Sequence, residues 1–169
     1  MEPDIVNKVA SSSLISFDLE TLLPKGERIL FDLKPLLFQE LVLKEKDFRE
    51  FLKNHPWEDY RDAHVAITCS ADAIVPTWAF MLVSLKLEPF AKTILFGNLD
   101  TLEDHLWEAA IAAIPNEQFI GAKVVIKGCS KVPVPVSAYV LLSKKLRPLA
   151  SSIMYGEPCS TVPLYKSPR

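Results

Sequence analysis

Two stretches of this chain follow one plan, and that repetition constrains the fold more than any other feature. VAITCSADAIVP at Val65–Pro76 and VVIKGCSKVPVP at Val124–Pro135 each run from β-branched residues into Cys-Ser, then into a proline-opened apolar segment. The likeness continues: Pro76, Ala79, Leu82, Ser84, Lys86, Leu87, Pro89 and Ala91 recur 59 positions later as Pro135, Ala138, Leu141, Ser143, Lys145, Leu146, Pro148 and Ala150. Phe80 becomes Tyr139. The pattern predicts an internal repeat of two strand–turn–helix units, each with a cysteine at its turn.

The surrounding sequence extends this into alternating strands and helices. Strands are expected at Ala63–Thr68, Lys92–Phe96 and Phe119–Lys127, and helices at Pro76–Leu87, Asp100–Ile114 and Val134–Leu146. Proline is tolerated in a first helical turn. Asp100 with Glu103 reads as a capping box, Leu102, Leu106 and Ala110 line one helix face, and Pro115 follows the end. Such alternation predicts βαβ units: an α/β fold with a mostly parallel sheet and flanking helices. Right-handed crossovers then place Cys69 and Cys129 at the carboxyl ends of strands, the edge where open parallel sheets carry their ligand crevices.

The first sixty residues read differently. Leu14–Leu19 and Arg28–Leu33 are expected strands that could pair as a hairpin around Pro24-Lys25-Gly26, an extra antiparallel N-terminal layer that makes α+β the alternative class. A short amphipathic helix at Asp4–Ala10, a short strand at Leu41–Leu43 and a helix at Lys44–Asn54 complete this part. The tail, Ser151–Arg169, carries Gly156, Pro158 and Pro163 and is expected to be irregular.

At 169 residues the chain fits a single domain, residues 1–169, with room for a real core. Nineteen basic and 21 acidic side chains give a net charge of −2 without a long run of either sign, which disfavours nucleic acid as a partner. The start, MEPDIVNKVASSS, is not a secretory signal, and no apolar run reaches spanning length, so no membrane partner is expected. Three cysteines are too few for a disulfide scaffold and suit reduced thiols, which points to the cytoplasm.

Chemistry rests on those cysteines. Each is followed by serine: Cys69-Ser70, Cys129-Ser130 and Cys159-Ser160. If the tail folds back over the strand ends, three thiolates converge, and such a set holds zinc or an iron–sulfur cluster with one open position. Asp72 and Glu157 are auxiliary metal ligands in this reading. The turns at Ser70, Ser130 and Ser160 could cradle an anionic cofactor on backbone amides. Against this, no two cysteines are closer than 30 positions, and cysteine often simply packs at a strand end. His55, His64 and His105 read as surface or packing residues, no nucleophile-elbow frame surrounds the serines, and no catalytic residue is assigned. Trp57, Trp78 and Trp107 read as core or subunit-contact residues, and the helix that Trp78 opens is apolar nearly all round.

CSADAIVPTWAFML at Cys69–Leu82, KGCSKVPVP at Lys127–Pro135 and MYGEPCSTVPLYK at Met154–Lys166 resemble a bacterial domain-of-unknown-function family of about this length. EPDIVNKVA and LVLKEKDFR extend the resemblance over essentially the whole chain. It brings no established activity. The resemblance implies genes placed beside sulfur-mobilising iron–sulfur assembly genes, and hence an accessory role with iron–sulfur assembly proteins as partners.

Three functions are therefore expected to compete. One is a metal or iron–sulfur accessory protein using Cys69, Cys129 and Cys159. Another is a small-molecule enzyme with Cys69 or Cys129 as nucleophile. The third is a structural or assembly module, a homo-oligomer built on the Trp78 helix with buried cysteines.

Overall fold

A computed structural model describes residues 14–128, 131–157 and 160–168. In chain order the elements are β1 (Leu14–Phe17), β2 (Arg28–Asp32), α1 (Glu45–Asn54), β3 (His64–Thr68), α2 (Thr77–Leu87), β4 (Thr93–Phe96), α3 (Leu99–Ala112), β5 (Lys123–Ile126), α4 (Val136–Leu146), β6 (Ser152–Glu157) and β7 (Ser160–Lys166). The protein is mixed α/β, and its parallel strands are divided between two sheets. It forms two compact units. An inserted unit covers Lys25–His105, and a flanking unit takes the described residues up to Pro24 and from Leu106 onward.

In the inserted unit the sheet order is β2-β3-β4, all parallel. Val65 and Ile67 of β3 are buried with Ala79, Val83 and Leu87, which recur every fourth residue and so line one side of α2. Phe48 and Leu52 of α1 and Phe31, Leu33 and Trp57 complete this core. In the flanking unit the order is β1-β5-β6-β7, parallel as far as β6. Val124 and Ile126 of β5 are buried with Ala138, Leu142 and Leu146 of α4 and with Trp107 and Ile111 of α3.

Seven of these buried residues in each unit stand in a fixed relation, the flanking-unit residue lying 59 positions after its counterpart, from Phe48 and Trp107 to Leu87 and Leu146. Backbone turns follow suit. Asp62 and Gly121 both adopt the left-handed conformation, φ 61° and 70°, ahead of the central strand. The amide of Asp62 donates to Phe90 O, and that of Gly121 to Leu149 O. The first strand of each sheet obeys a different spacing. Ile-Ser-Phe-Asp-Leu at 15–19 and Ile-Leu-Phe-Asp-Leu at 29–33 lie only 14 residues apart, and each runs parallel beside its own central strand.

Several expectations need correction. β1 and β2 do not form a hairpin or an antiparallel layer, since each joins a different sheet. Asp18 accepts the Glu20 amide at 3.0 Å and starts a 3-10 turn over Leu19–Leu22, which carries the chain away from β1 before a hairpin can close. The tail is regular: β6 and β7 pair antiparallel, with Glu157 opposite Ser160. Pro163 is accommodated because β7 is an edge strand, where a missing amide costs no ladder bond on its outer side. Leu41–Leu43 contributes only an isolated bridge, Phe38 to Val42. Phe119 belongs to a 3-10 turn at Glu117–Phe119, and the strand begins later, at Lys123. The helix expected at Asp100 is capped by Asn98 instead, whose Oδ1 accepts the Thr101 amide at 2.8 Å. Glu103 turns away from the cap to pair with Arg28. The helix expected at Asp4–Ala10 lies outside the described residues.

Candidate functional site

The carboxyl ends of the strands carry a carboxylate in each unit. In the inserted unit β2 ends at Asp32. Its Oδ1 accepts the amides of Lys34 and Ser70, both at 2.9 Å, and its Oδ2 accepts the Ser70 hydroxyl at 2.5 Å. One side chain thus joins the end of β2 to the turn after β3. The Leu33 amide, donating to Thr68 O at 2.9 Å, closes the same junction. Burial would raise the Asp32 pKa, but the bonds from Ser70 and Lys34, with the Lys34 charge, outweigh it and hold the carboxyl below the ordinary aspartate value.

In the flanking unit Asp18 occupies the equivalent strand end. It accepts the Glu20 amide and pairs with Lys127 at 3.4 Å. Glu20 Oε1 accepts the amides of Lys131 and Val132, fixing the turn ahead of α4. Both strand-end turns are therefore held by acidic side chains from the first strand and its 3-10 turn.

The residues singled out from sequence divide as follows. Cys69 is a free, half-buried thiol packed against the inserted unit's core, and it shares one turn with the exposed Ser70 and Asp72. The Ser70 amide and hydroxyl are both committed to Asp32. Glu157 is half-buried and lies opposite exposed Ser160 across the β6–β7 pair. Cys129, Ser130 and Cys159 lie outside the described residues. Among the described residues, no group of three His, Cys, Asp or Glu is placed to hold a metal ion. Asp32 was not singled out in advance. The Phe-Asp-Leu frame, present at 17–19 and again at 31–33, is the signal that finds it.

Cavities open at the other end of the strands, where α2 and α4 run out. A cavity of about 620 Å³ in the inserted unit is lined by His55, Trp57, Leu85, Lys86, Pro89 and Phe90. Another, of about 440 Å³ in the flanking unit, is lined by Asn116, Leu141, Lys144, Lys145, Pro148 and Leu149. In the first, His55 Nε2 and the Tyr60 hydroxyl are 2.9 Å apart. Burial lowers the His55 pKa, opposed by the Asp59 charge; burial and that same charge together raise the Tyr60 pKa.

The surface of the inserted unit carries several exposed apolar side chains. Outward along α2, Met81 and Leu85 are 59% and 67% exposed, and Ile74, just ahead of the helix, is 96% exposed. At the end of β4, Phe96 is 70% exposed and meets Phe80 of α2 edge-on, with centroids 5.2 Å apart. Single exposed hydrophobics are ordinary; here several stand together on one helix and the strand beside it. Among the described residues no helix is long and apolar enough to cross a membrane.

No curated protein and no solved structure matches the chain. A family model covers residues 3–167, and the chain belongs to that family, described as "Protein of unknown function (DUF2480)".

Proposed function

We propose that this protein is a non-enzymatic assembly module of the cytoplasm, built from two copies of one α/β unit and working through a protein contact on α2 of the inserted unit. The observation that carries the reading is the exposed apolar line of Ile74, Met81 and Leu85. Met81 and Leu85 lie on the side of α2 away from Ala79, Val83 and Leu87, and Ile74 stands exposed just ahead of the helix, so the local fold does not require these side chains to be apolar. The 59-residue relation between the units supports the two-copy origin. The hydrogen bonding of Asp32 and Ser70 supports a structural role for that strand-end turn.

The test is the double substitution Met81→Glu/Leu85→Glu, read in gently lysed cell extracts. Wild type is expected to elute well above its monomer mass and the variant at monomer mass, with unchanged circular dichroism. Wild type eluting as a monomer overturns the reading.

A thiol site is the second reading, favoured by Cys69 as a free cysteine at a strand-end turn. In it Cys69, Cys129 and Cys159, with Asp72 and Glu157 as auxiliaries, hold zinc or an iron–sulfur cluster in an accessory role toward iron–sulfur assembly proteins. Metal content measured on anaerobically purified protein and on each Cys→Ser variant decides it.

A further inference from the structure

The two sheets differ at one edge. In the flanking unit β6 is covered by antiparallel β7, and Ile153 of β6 is buried. In the inserted unit β4 occupies the matching position, yet among the described residues no strand follows it in the order β2-β3-β4, and Ile94, 59 positions before Ile153, is half-buried. β4 reads Thr-Ile-Leu-Phe, with no proline and no charge inside it. Natural proteins usually blunt such an edge with a charge, a proline or a covering element. Of these devices β4 itself carries only shortness, at four residues.

We infer that β4 is the seat of a second copy of this chain, pairing antiparallel with its own counterpart so that the sheet continues through the two-fold as β2-β3-β4-β4-β3-β2. The inference rests on the assembly reading above and names its partner. Antiparallel self-pairing is isologous and closes after two chains. Its ends are electrostatically matched: exposed Lys92 precedes β4 and exposed Asp100 follows it, so each Lys92 meets the end bearing the other chain's Asp100. The contact between Phe80 and Phe96 ties α2 to this edge. A continued sheet therefore brings the two α2 helices alongside each other on one face of the sheet and covers Phe96 in the same contact.

Purified full-length protein is examined by sedimentation velocity and by amide hydrogen exchange across a dilution series. A dimer is expected, with amides of Thr93–Phe96 losing protection on dilution, and Phe96→Lys is expected to weaken dimerisation by about tenfold or more. A monomer at high micromolar concentration overturns the self-pairing. If wild type is also large in cell extracts, that result leaves the assembly reading standing with a different protein as partner. A dimer whose Thr93–Phe96 amides exchange at a rate independent of concentration overturns the edge while keeping the second copy. Because the exchange arm uses wild type alone, a misfolded Phe96→Lys does not blunt the test.

Discussion

Replacing Asp32 with alanine removes one acceptor from three donors: the amides of Lys34 and Ser70 and the Ser70 hydroxyl. A bond to a charged acceptor is worth about 1.5–3 kcal/mol, and a solvated one less. Ser70 is exposed and Asp32 only half-buried, so water replaces part of each lost bond. About 1 kcal/mol per donor is then reasonable, or about 2–3 kcal/mol in all. Ser70→Ala, which keeps both amide bonds, is expected to cost about 1 kcal/mol. The double variant should cost less than the sum, because the two single changes remove one shared bond. Urea unfolding at neutral pH, followed by tryptophan fluorescence, measures these values. The carboxyl pKa in the fold is depressed, so its stabilisation is complete above the unfolded-state value of about 3.9 and is lost as pH falls through the folded value. A carbon-detected titration should place the Asp32 midpoint below the ordinary 3.8, and Ser70→Ala should raise it. The reasoning is refuted if Asp32→Ala stays within about 0.5 kcal/mol of wild type, the range of an uninvolved surface site. A midpoint at or above 3.8 refutes it equally.

Other expectations are simpler. A Cβ on Gly26, at φ 126°, would sit 2.8 Å from the buried His64 ring, whereas one on Gly121, at φ 70°, meets nothing within 4 Å. Gly26→Ala should therefore destabilise clearly more than Gly121→Ala, which carries only the backbone cost of about 1 kcal/mol, and equal thermal shifts would contradict this. Leu142→Ala, at a fully buried position of α4, should cost about 2–5 kcal/mol in urea unfolding. The fold favours neutral His55, so its contribution should fall away as pH drops below 6.5, and Asp59→Asn should lower the imidazole midpoint further in proton NMR. A midpoint at or above 6.5 would count against that environment. If the thiol reading holds, each of Cys69→Ser, Cys129→Ser and Cys159→Ser should lower bound metal, and full metal content in all three ends it.

What could be read from the chain depended on how local its cause is. α2 and α4 announce themselves because a proline stands just ahead of each, at the N-cap, and a long apolar run follows it. Their bounds, Thr77–Leu87 and Val136–Leu146, sit within two residues of the expected ones. Strand partners are a non-local choice, and that is where expectation failed. Nothing in Leu14–Phe17 says that it lies beside a strand more than a hundred residues later, so a neighbour in sequence was taken as the neighbour in space. β6 and β7 were hidden for a related reason: glycine and proline argue against strands, but Pro163 is tolerated because β7 is an edge, and Gly156 of β6, at φ 123°, allows a close approach of the Ser160 carbonyl. Asp32 escaped notice because it lay inside the expected strand Arg28–Leu33, and nothing local shows that its carboxylate bonds to a turn 38 residues later. Its counterpart Asp18 is visible only once the Phe-Asp-Leu frames are aligned.

The central claim, that α2 of the inserted unit is a docking surface, is tested most directly by placing a photoreactive residue at Met81 in growing cells. A second at Lys53, exposed on α1 of the same unit, is the control. The account predicts a strong, discrete cross-link from Met81 and none of comparable strength from Lys53. A Met81 probe that captures no more than the Lys53 probe would contradict it.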